Sequence, residues 1–345
     1  MELNHKKSSR RDIEVGVPQG SILGPLLFLI YINDLPSSLS LKCVTFADDS
    51  NLLIRGDNFE ELAKTLTKEL EGVSDFFRAN QLMLNAKKTK MVFFRKKSLP
   101  QGHQQINVIL DGVTLNHDEN ADFLGTTIDG TLNWEKHCTK IANKISRSNG
   151  VLNRVKNLLP PSTLKLLYHS FIQPHLLYTL PVWGGCSAQN KKRIVTIQKR
   201  AIRTISKAYH TAHTEPRMKK LGLLKFDDLY RLQSTLLVHD CIYNHAPPNI
   251  RNTLHIAQNP NHNLRNQSSN PLDLKVPNLK SRAGSHSFRQ IGSGFWNMVP
   301  NELRQINQKK RFKTAMKRLT LENYEKKAVC KNPRCRDKGN HTCTG

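Results

Sequence analysis

Two adjacent carboxylates, Asp48 and Asp49, are the side chains in this sequence whose type and spacing most directly indicate chemistry. They lie between two short β-prone runs, residues 43–46 and 52–54, so we expect a hairpin that carries both carboxylates at its tip. Neighbouring carboxylates repel each other unless a cation lies beside them, and oxygen ligands favour Mg²⁺. Metal ions held in this way activate the attacking hydroxyl in nucleotidyl transfer. An isolated Asp-Asp pair is, however, also common in ordinary surface turns.

Several predicted elements surround this turn and must position it. Residues 13–17 alternate as a short strand, and residues 59–77 predict an amphipathic helix. Residues 91–94 predict a strand, and residues 109–114 a hairpin around an Asp-Gly pair. A further helix is expected over residues 21–39, with one apolar face formed by Leu23, Leu26, Leu27, Ile30 and Tyr31. One alternating α/β domain is therefore expected over about residues 13–130.

The remainder of the chain is predicted to be mainly helical. Apolar spacing indicates helices over residues 141–155, from Pro161 onward, near residues 191–207 and over residues 223–245. Residues 255–285 are rich in Asn, Ser and Pro, which predicts a long exposed linker. A packed aromatic patch and a basic helix at about residues 309–328 follow the linker. Trp183 and Trp296 are interpreted as packing anchors.

The helix near residues 191–207 has one strongly basic face. Its cations are Lys191, Lys192, Arg193, Lys199, Arg200 and Arg203. Such a face can simply keep a helix soluble, or it can follow a nucleic-acid backbone. In the second interpretation Lys192, Arg193, Lys199 and Arg200 would be the residues that contact the backbone.

The amino-acid composition favours one class of binding partner. The sequence has 53 Lys and Arg against 27 Asp and Glu, a net charge of +26 over 345 residues, which favours a polyanion such as nucleic acid. The longest apolar run, residues 25–32, is shorter than the roughly 20 residues of a membrane span, so no membrane role is expected. Most of the seven cysteines are scattered, which is typical of an intracellular protein, and the sequence leaves nucleus or cytoplasm open.

Four residues near the C-terminus have the chemistry of zinc ligands: Cys330, Cys335, His341 and Cys343. Their spacing departs from ordinary zinc-finger patterns. The alternative is a C-terminal tail with incidental cysteines.

Several blocks around the acidic turn occur in a fixed order. The segment GVPQGSILGPLLF at residues 16–28 comes first, followed by FADD at 46–49, LMLN at 82–85, FLG at 123–125 and VWG at 182–184. In order and spacing these blocks resemble the reverse transcriptases of non-LTR retrotransposons, especially jockey and CR1-like elements. Telomerase and group II intron maturases, which share the polymerase palm, fit the last block poorly. The resemblance is strong over about residues 13–210.

The resemblance implies a role for each matching residue. Asp48 would hold the catalytic Mg²⁺ (or Mn²⁺), and Asp49 would support the same site. Gln19 and Gly20 would lie along the template and the nascent base pair. Lys88 would donate a proton to the leaving pyrophosphate, although it can equally be one solvated member of a basic run. The implied partners are an RNA template, a DNA primer and deoxynucleoside triphosphates.

The same resemblance implies an α+β fold with four parts. Residues 1–130 would be a partial polymerase palm, with an antiparallel hairpin sheet and helices, and residues 131–254 a mainly helical thumb. Residues 255–285 would be a polar linker, and residues 286–345 a basic C-terminal extension.

The family's motif A aspartate and its fingers find no match in this sequence. Only fifteen residues precede Gly16, and Asp12, the only aspartate among them, lies in a poor setting for motif A. We therefore expect little polymerase activity from this chain alone, because the missing segment would have to be supplied in cis or in trans. The alternative function is a non-catalytic RNA- or DNA-binding remnant of a retroelement.

Overall fold

The computed structural model describes residues 2–3, 6–7, 9, 16–17, 20–94, 107–257 and 272–326. The chain divides into two compact units, Met1–Phe93 with Lys97–Ala121 and Phe94–Lys96 with Asp122–Gly345. Most of the predicted strand over residues 13–17 lies outside the described residues. Within the described part of the chain, no helix is both long and apolar enough to cross a bilayer.

The first unit is built from short antiparallel strand pairs and one long helix. In chain order its elements are β1 (Glu2–Leu3), β2 (Lys6–Lys7), α1 (Gly24–Ile32), α2 (Leu35–Ser38), β3 (Lys42–Phe46), β4 (Asp49–Leu53), α3 (Phe59–Ala79), a short 3₁₀ helix (Ala86–Lys88), β5 (Val108–Leu110) and β6 (Val113–Leu115). β1 pairs with β2, β3 with β4 and β5 with β6, each antiparallel. The expected mixture of helices and small antiparallel sheets is therefore confirmed.

Both predicted hairpins are present. β3 and β4 pair from Lys42 opposite Leu53 to Phe46 opposite Asp49. β5 and β6 are joined by Asp111 and Gly112, whose φ angles of 48° and 75° place both residues in the left-handed region. Two-residue hairpin turns favour this conformation, and an Asp-Gly pair adopts it readily.

Helix α3 and the β5–β6 hairpin form the core of the first unit. The Asn58 side chain accepts a hydrogen bond from the backbone N–H of Glu60 (2.9 Å) and so caps the start of α3. The buried residues of this core are Leu70, Val73, Met91, Val108, Leu110 and Leu115. The amphipathic helix predicted over residues 59–77 is confirmed.

Two local predictions in the first unit are only partly right. The helix expected over residues 21–39, with a frayed end at Asp34 and Pro36, is present as α1, which ends at Ile32, and the short α2 follows with Pro36 in its first turn. Its predicted apolar face is exposed, with 62% of Leu23 and 64% of Ile30 accessible, because only Gly24 and Ile32 of α1 reach buried positions. The strand expected over residues 91–94 is reduced to one bridge between Met91 and His117.

From β7 onward the chain is mainly helical. The elements are β7 (Asn120–Phe123), β8 (Thr126–Asp129), α4 (Glu135–Val155), α5 (Pro161–Phe171), α6 (Gln173–Leu177), α7 (Leu180–Trp183), α8 (Ala188–Ile205), α9 (Glu215–Leu221), α10 (Phe226–Ile242), α11 (Pro248–Arg251), α12 (Arg282–Ser285), α13 (Phe288–Asn297), α14 (Asn301–Arg304) and α15 (Lys309–Lys326). The helical pattern predicted beyond Trp134 is confirmed, and Gly150 does not interrupt α4.

The two tryptophans anchor the core of the second unit, as predicted. Trp183 and Trp296 are both fully buried. The indole N–H of Trp183 donates to the carbonyl of Tyr178 (2.8 Å), and that of Trp296 donates to the carbonyl of Leu272 (2.8 Å). Each polar edge is therefore satisfied inside an apolar environment.

The described ends of the predicted linker are largely exposed, as expected, but single side chains in them pack against the core. Ile256 bridges Leu274 in an antiparallel arrangement, and Leu274 is buried in the core of the second unit. Asp273 forms an ion pair with the buried guanidinium of Arg304. The composition of residues 255–285 predicted solvent exposure, but a few apolar and charged side chains at its ends find partners in the core.

Candidate nucleic-acid interface and acidic turn

The acidic turn lies at the tip of the β3–β4 hairpin. Ala47 and Asp48 form the turn itself, while Asp49 is the first residue of β4 and pairs with Phe46. Ala47 has a φ of 52°, an unfavourable left-handed conformation for a residue with a side chain. Both carboxylates are exposed, and Phe46 is 62% exposed. The hairpin therefore presents two neighbouring carboxylates to solvent.

The donor set of this turn suits Mg²⁺, which prefers oxygen ligands and often uses one or two carboxylates together with water and substrate phosphates. Among the described residues, no third Asp, Glu, His or Cys side chain joins Asp48 and Asp49 at metal-ligand spacing. The turn thus offers two neighbouring carboxylates of the kind that cation sites use.

The other residues predicted for this site belong to other parts of the chain. Gly20 is exposed with a φ of 85°, and an added Cβ would meet no atom within 4 Å. The backbone conformation, and not close packing, is thus what favours glycine there. Lys88 is exposed at the end of the 3₁₀ helix, whose Asn85 side chain caps the Lys88 N–H (3.2 Å). Gln19 lies outside the described residues.

Helix α8 carries the predicted basic face, and its buried face fixes it in the second unit. Ile194, Ile202 and Ile205 are fully buried. Beside them, the buried side chain of Gln198 donates to the hydroxyl of Tyr168 (3.0 Å) and to the carbonyl of Leu224 (3.0 Å). It also accepts from the N–H of Phe226 at the start of α10 (2.9 Å).

The exposed face of α8 contains the four predicted contact residues. Lys192, Arg193, Lys199 and Arg200 are all exposed. Arg193 donates to the Thr139 hydroxyl of α4 (2.8 Å), which fixes part of its side chain. Lys191 is different, because its ammonium lies 3.8 Å from the Asp227 carboxylate and over the Tyr230 ring.

A basic cleft lies along the C-terminal half of α8 and was missed by the sequence reasoning. It has a volume of about 850 Å³ and is lined from α4, α8 and the segment after α8 by Asn153, Lys156, Asn157, Thr196, Arg200, Arg203, Thr204, Lys207, Ala208, Tyr209 and His210. These lining residues include four Lys or Arg side chains and no carboxylate. The run Lys207-Ala208-Tyr209-His210, immediately after the basic helix, was the signal that could have found it.

Four cationic side chains and no carboxylate line this cleft, so its charge suits an anion. Burial lowers the pKa of Arg203, and the neighbouring guanidinium groups of Arg217 and Arg200 lower that pKa further. The Arg203 Nε donates to the carbonyl of Ala212 (2.9 Å), so the side chain is held in place. At the rim, Tyr209 is 73% exposed. Positioned cations beside an exposed aromatic ring are typical of surfaces that bind single-stranded nucleic acid.

Helix α4, which forms the other wall of the cleft, is anchored by a buried histidine. His137 is buried, and its Nδ1 accepts a hydrogen bond from the N–H of Thr127 (3.2 Å). Burial, together with the nearby charge of Lys140, lowers the pKa of His137 to about 4, although Asp122 opposes the shift. The imidazole is therefore neutral at physiological pH and serves as a packing group.

The chain is similar to one known protein family and to several known proteins. Residues 1–128 match the family model for reverse transcriptase (RNA-dependent DNA polymerase). A probable RNA-directed DNA polymerase from transposon BS of Drosophila melanogaster is 29% identical over 218 residues, covering 60% of this chain and 24% of the relative.

Two further relatives are similar in the same way. The RNA-directed DNA polymerase from the mobile element jockey of Drosophila melanogaster is 28% identical over 236 residues, covering 64% of this chain and 25% of the relative. A probable RNA-directed DNA polymerase from transposon X-element of the same organism is 29% identical over 209 residues, covering 58% of this chain and 22% of the relative. The chain thus spans about a quarter of the length of these relatives. No solved structure matches it.

Proposed function

We propose that this chain supplies part of an RNA-directed DNA polymerase of a non-LTR retrotransposon, because residues 1–128 match the reverse transcriptase family model and the chain is similar to the transposon BS and jockey polymerases. In this proposal the first unit contributes palm residues and the second unit is a thumb that holds the template and primer. The observation that carries it is the exposed Asp48-Asp49 hairpin inside the matched segment. The implied substrates are deoxynucleoside triphosphates, an RNA template and a DNA primer.

The first unit would bind the metal and the growing end of the primer. Asp48 and Asp49 would hold Mg²⁺ (or Mn²⁺), which when bound supplies a Lewis acid for nucleotidyl transfer. Gln19 and Gly20 would contact the template and nascent base pair, and Lys88 would protonate the leaving group. The exposure of Lys88 and of both carboxylates is compatible with these roles.

A primer-extension assay with an RNA template tests the catalytic part. Residues 1–345 alone are expected to give little extension, because two carboxylates are only part of a cation site. Mn²⁺ binding gives a separate measure, which Asp48→Asn should weaken, while the exposed Asp57→Asn serves as a matched control. Equal Mn²⁺ affinity in wild type and Asp48→Asn would remove the proposed role of this residue. Extension by the wild-type chain that Asp48→Ala abolishes would instead show that the chain is active by itself.

The second unit would bind the nucleic-acid backbone through the exposed face of α8. Replacing Lys192, Arg193, Lys199 and Arg200 by glutamine should reduce the slope of log affinity against log salt for an RNA–DNA duplex by up to about 3.6, since each phosphate contact contributes about 0.9. The control variant carries glutamine at four other exposed positions, Lys64, Lys68, Lys310 and Lys313. Its net charge falls by the same amount as that of the first variant. An unchanged slope in the first variant, or equal losses in both, would contradict a specific interface.

A second candidate function is nucleic-acid binding without catalysis. The basic cleft supports it, because it needs no metal and lies in a unit that does not include the acidic turn. Strong salt-dependent RNA binding together with absent extension, even when the N-terminal part of a relative's polymerase is added, would favour this alternative. Extension restored by that addition would favour the polymerase.

A further inference from the structure

Three potential metal ligands meet at the C-terminal end of α10. His239 and Asp240 belong to the last turn of this helix, and His245 follows a reversal of the chain at Asn244, whose φ is 61°. The reversal is held by the N–H groups of His245 (2.7 Å) and Ala246 (3.0 Å), which both donate to the carbonyl of Asp240. One ligand atom from each of the three side chains lies within 4.8 Å of the others.

His239 is arranged as a metal-binding histidine would be. It is fully buried, and its Nε2 lies 2.8 Å from the carbonyl of Ile306, which can only accept. Nε2 therefore carries the proton and leaves Nδ1 with a free lone pair. Nδ1 is itself buried and has no hydrogen-bond partner among the described residues. Metal-bound histidines commonly donate their second ring nitrogen to a backbone carbonyl in this manner.

In Asp240, as in His239, one side-chain atom has a hydrogen-bond partner and another has none within the described residues. Its Oδ2 accepts from the ammonium of Lys309 at the start of α15 (2.5 Å). Its Oδ1 is buried and has no hydrogen-bond partner in the described part of the chain. A buried polar atom without a partner is costly, so two such atoms side by side indicate a missing ligand.

We propose that His239 Nδ1, Asp240 Oδ1 and a ring nitrogen of His245 bind a divalent transition-metal ion of the zinc class. Two imidazoles and one carboxylate suit Zn²⁺ and its neighbours better than Mg²⁺ or Ca²⁺, which prefer oxygen. His245 is exposed, so the remaining coordination position opens to water. This site is independent of the proposed polymerase function and of the four predicted zinc ligands near the C-terminus, Cys330, Cys335, His341 and Cys343, which lie outside the described residues.

The proposed ion has a structural role. It would join the end of α10 to the segment that follows this helix. Lys309, at the start of α15, would remain paired with Oδ2 of Asp240. Because the ligands come together only in the folded chain, binding should stabilise the folded state. The thermal midpoint of the chain should therefore rise with added Zn²⁺.

Cobalt and zinc titrations of the full chain test this proposal. The parent protein carries Cys330→Ser, Cys335→Ser and Cys343→Ser, so that the candidate zinc ligands near the C-terminus cannot contribute. Metal-free parent is expected to bind one equivalent of Co²⁺, with the visible absorption of nitrogen and oxygen ligation and without thiolate-to-cobalt charge transfer. Zn²⁺ should displace the Co²⁺ and raise the thermal midpoint.

Removing one ligand provides the decisive comparison. Added to this parent, His245→Ala should weaken metal binding by about 100-fold or more, without changing the thermal midpoint of the metal-free protein, because this side chain is exposed. His255→Ala removes another exposed histidine as a control, and His245→Gln replaces His245→Ala if the alanine variant folds poorly. The proposal is overturned if the parent binds no stoichiometric metal, or if the His245 variants bind as tightly as the parent.

Discussion

Replacing Gln198 by methionine is expected to destabilise the second unit by about 3 kcal/mol. The substitution keeps the length of the side chain but removes its hydrogen bonds to the Tyr168 hydroxyl, the Leu224 carbonyl and the Phe226 N–H. Gln198 is fully buried, so water cannot replace these bonds. A buried backbone group left without a partner costs about 1–3 kcal/mol, and two such groups give the expected loss after partial relaxation.

Urea denaturation followed by circular dichroism measures this loss. The matched control is Gln189→Met in the same helix, where the side chain is exposed and the expected change is within about 0.5 kcal/mol. If Gln198→Met loses less than about 1 kcal/mol, or no more than the control, the three hydrogen bonds do not join α8 to α5 and α10 as the geometry indicates.

Three further predictions concern the cleft, the buried histidine and the acidic turn. Tyr209→Ala should weaken binding of single-stranded RNA by about 1–3 kcal/mol, measured by fluorescence anisotropy, whereas Tyr209→Phe should bind like wild type, because stacking needs the ring and not the hydroxyl; equal binding by all three proteins would exclude stacking. Because the pKa of His137 falls to about 4 in the folded state, the unfolded chain takes up this proton first, and stability should decline from about pH 6.5 towards pH 4. The total loss of folding stability over this range is about 3 kcal/mol. His137→Gln should flatten this part of the profile of stability against pH. An unchanged profile in the variant would show that another group titrates there. Ala47→Gly should stabilise the β3–β4 hairpin by up to about 1 kcal/mol in thermal melts, because glycine accepts the positive φ, and a loss of stability would show that the turn is not strained.

The acidic hairpin was predictable because its information is local. Two β-prone runs with a polar interruption define the turn, and the Asp-Gly pair at residues 111–112 defines the other hairpin in the same way. The family resemblance was equally available, since it depends on the order of short blocks, and the match over residues 1–128 confirms it. The helical spacing of α3, α4 and α8 also appears directly in the sequence.

Features that depend on distant partners were not predictable. The apolar spacing of residues 21–39 could not show that Leu23 and Ile30 stay exposed, since exposure depends on what packs against the helix. Polar composition likewise concealed the burial of Leu274, whose partners lie elsewhere in the second unit.

The sequence by itself determined the resemblance to reverse transcriptases, the acidic turn and the basic face of α8, because each depends on consecutive or periodically spaced residues. Only the tertiary structure brought Lys156 of the α4 helix region next to Arg203 and Tyr209 in one cleft. It alone also showed that His239 Nδ1 and Asp240 Oδ1 are buried beside His245 without hydrogen-bond partners among the described residues. The cleft joins distant residues through helix packing, and the burial of the two ligand atoms depends on distant segments, so no spacing rule in the sequence encodes either feature.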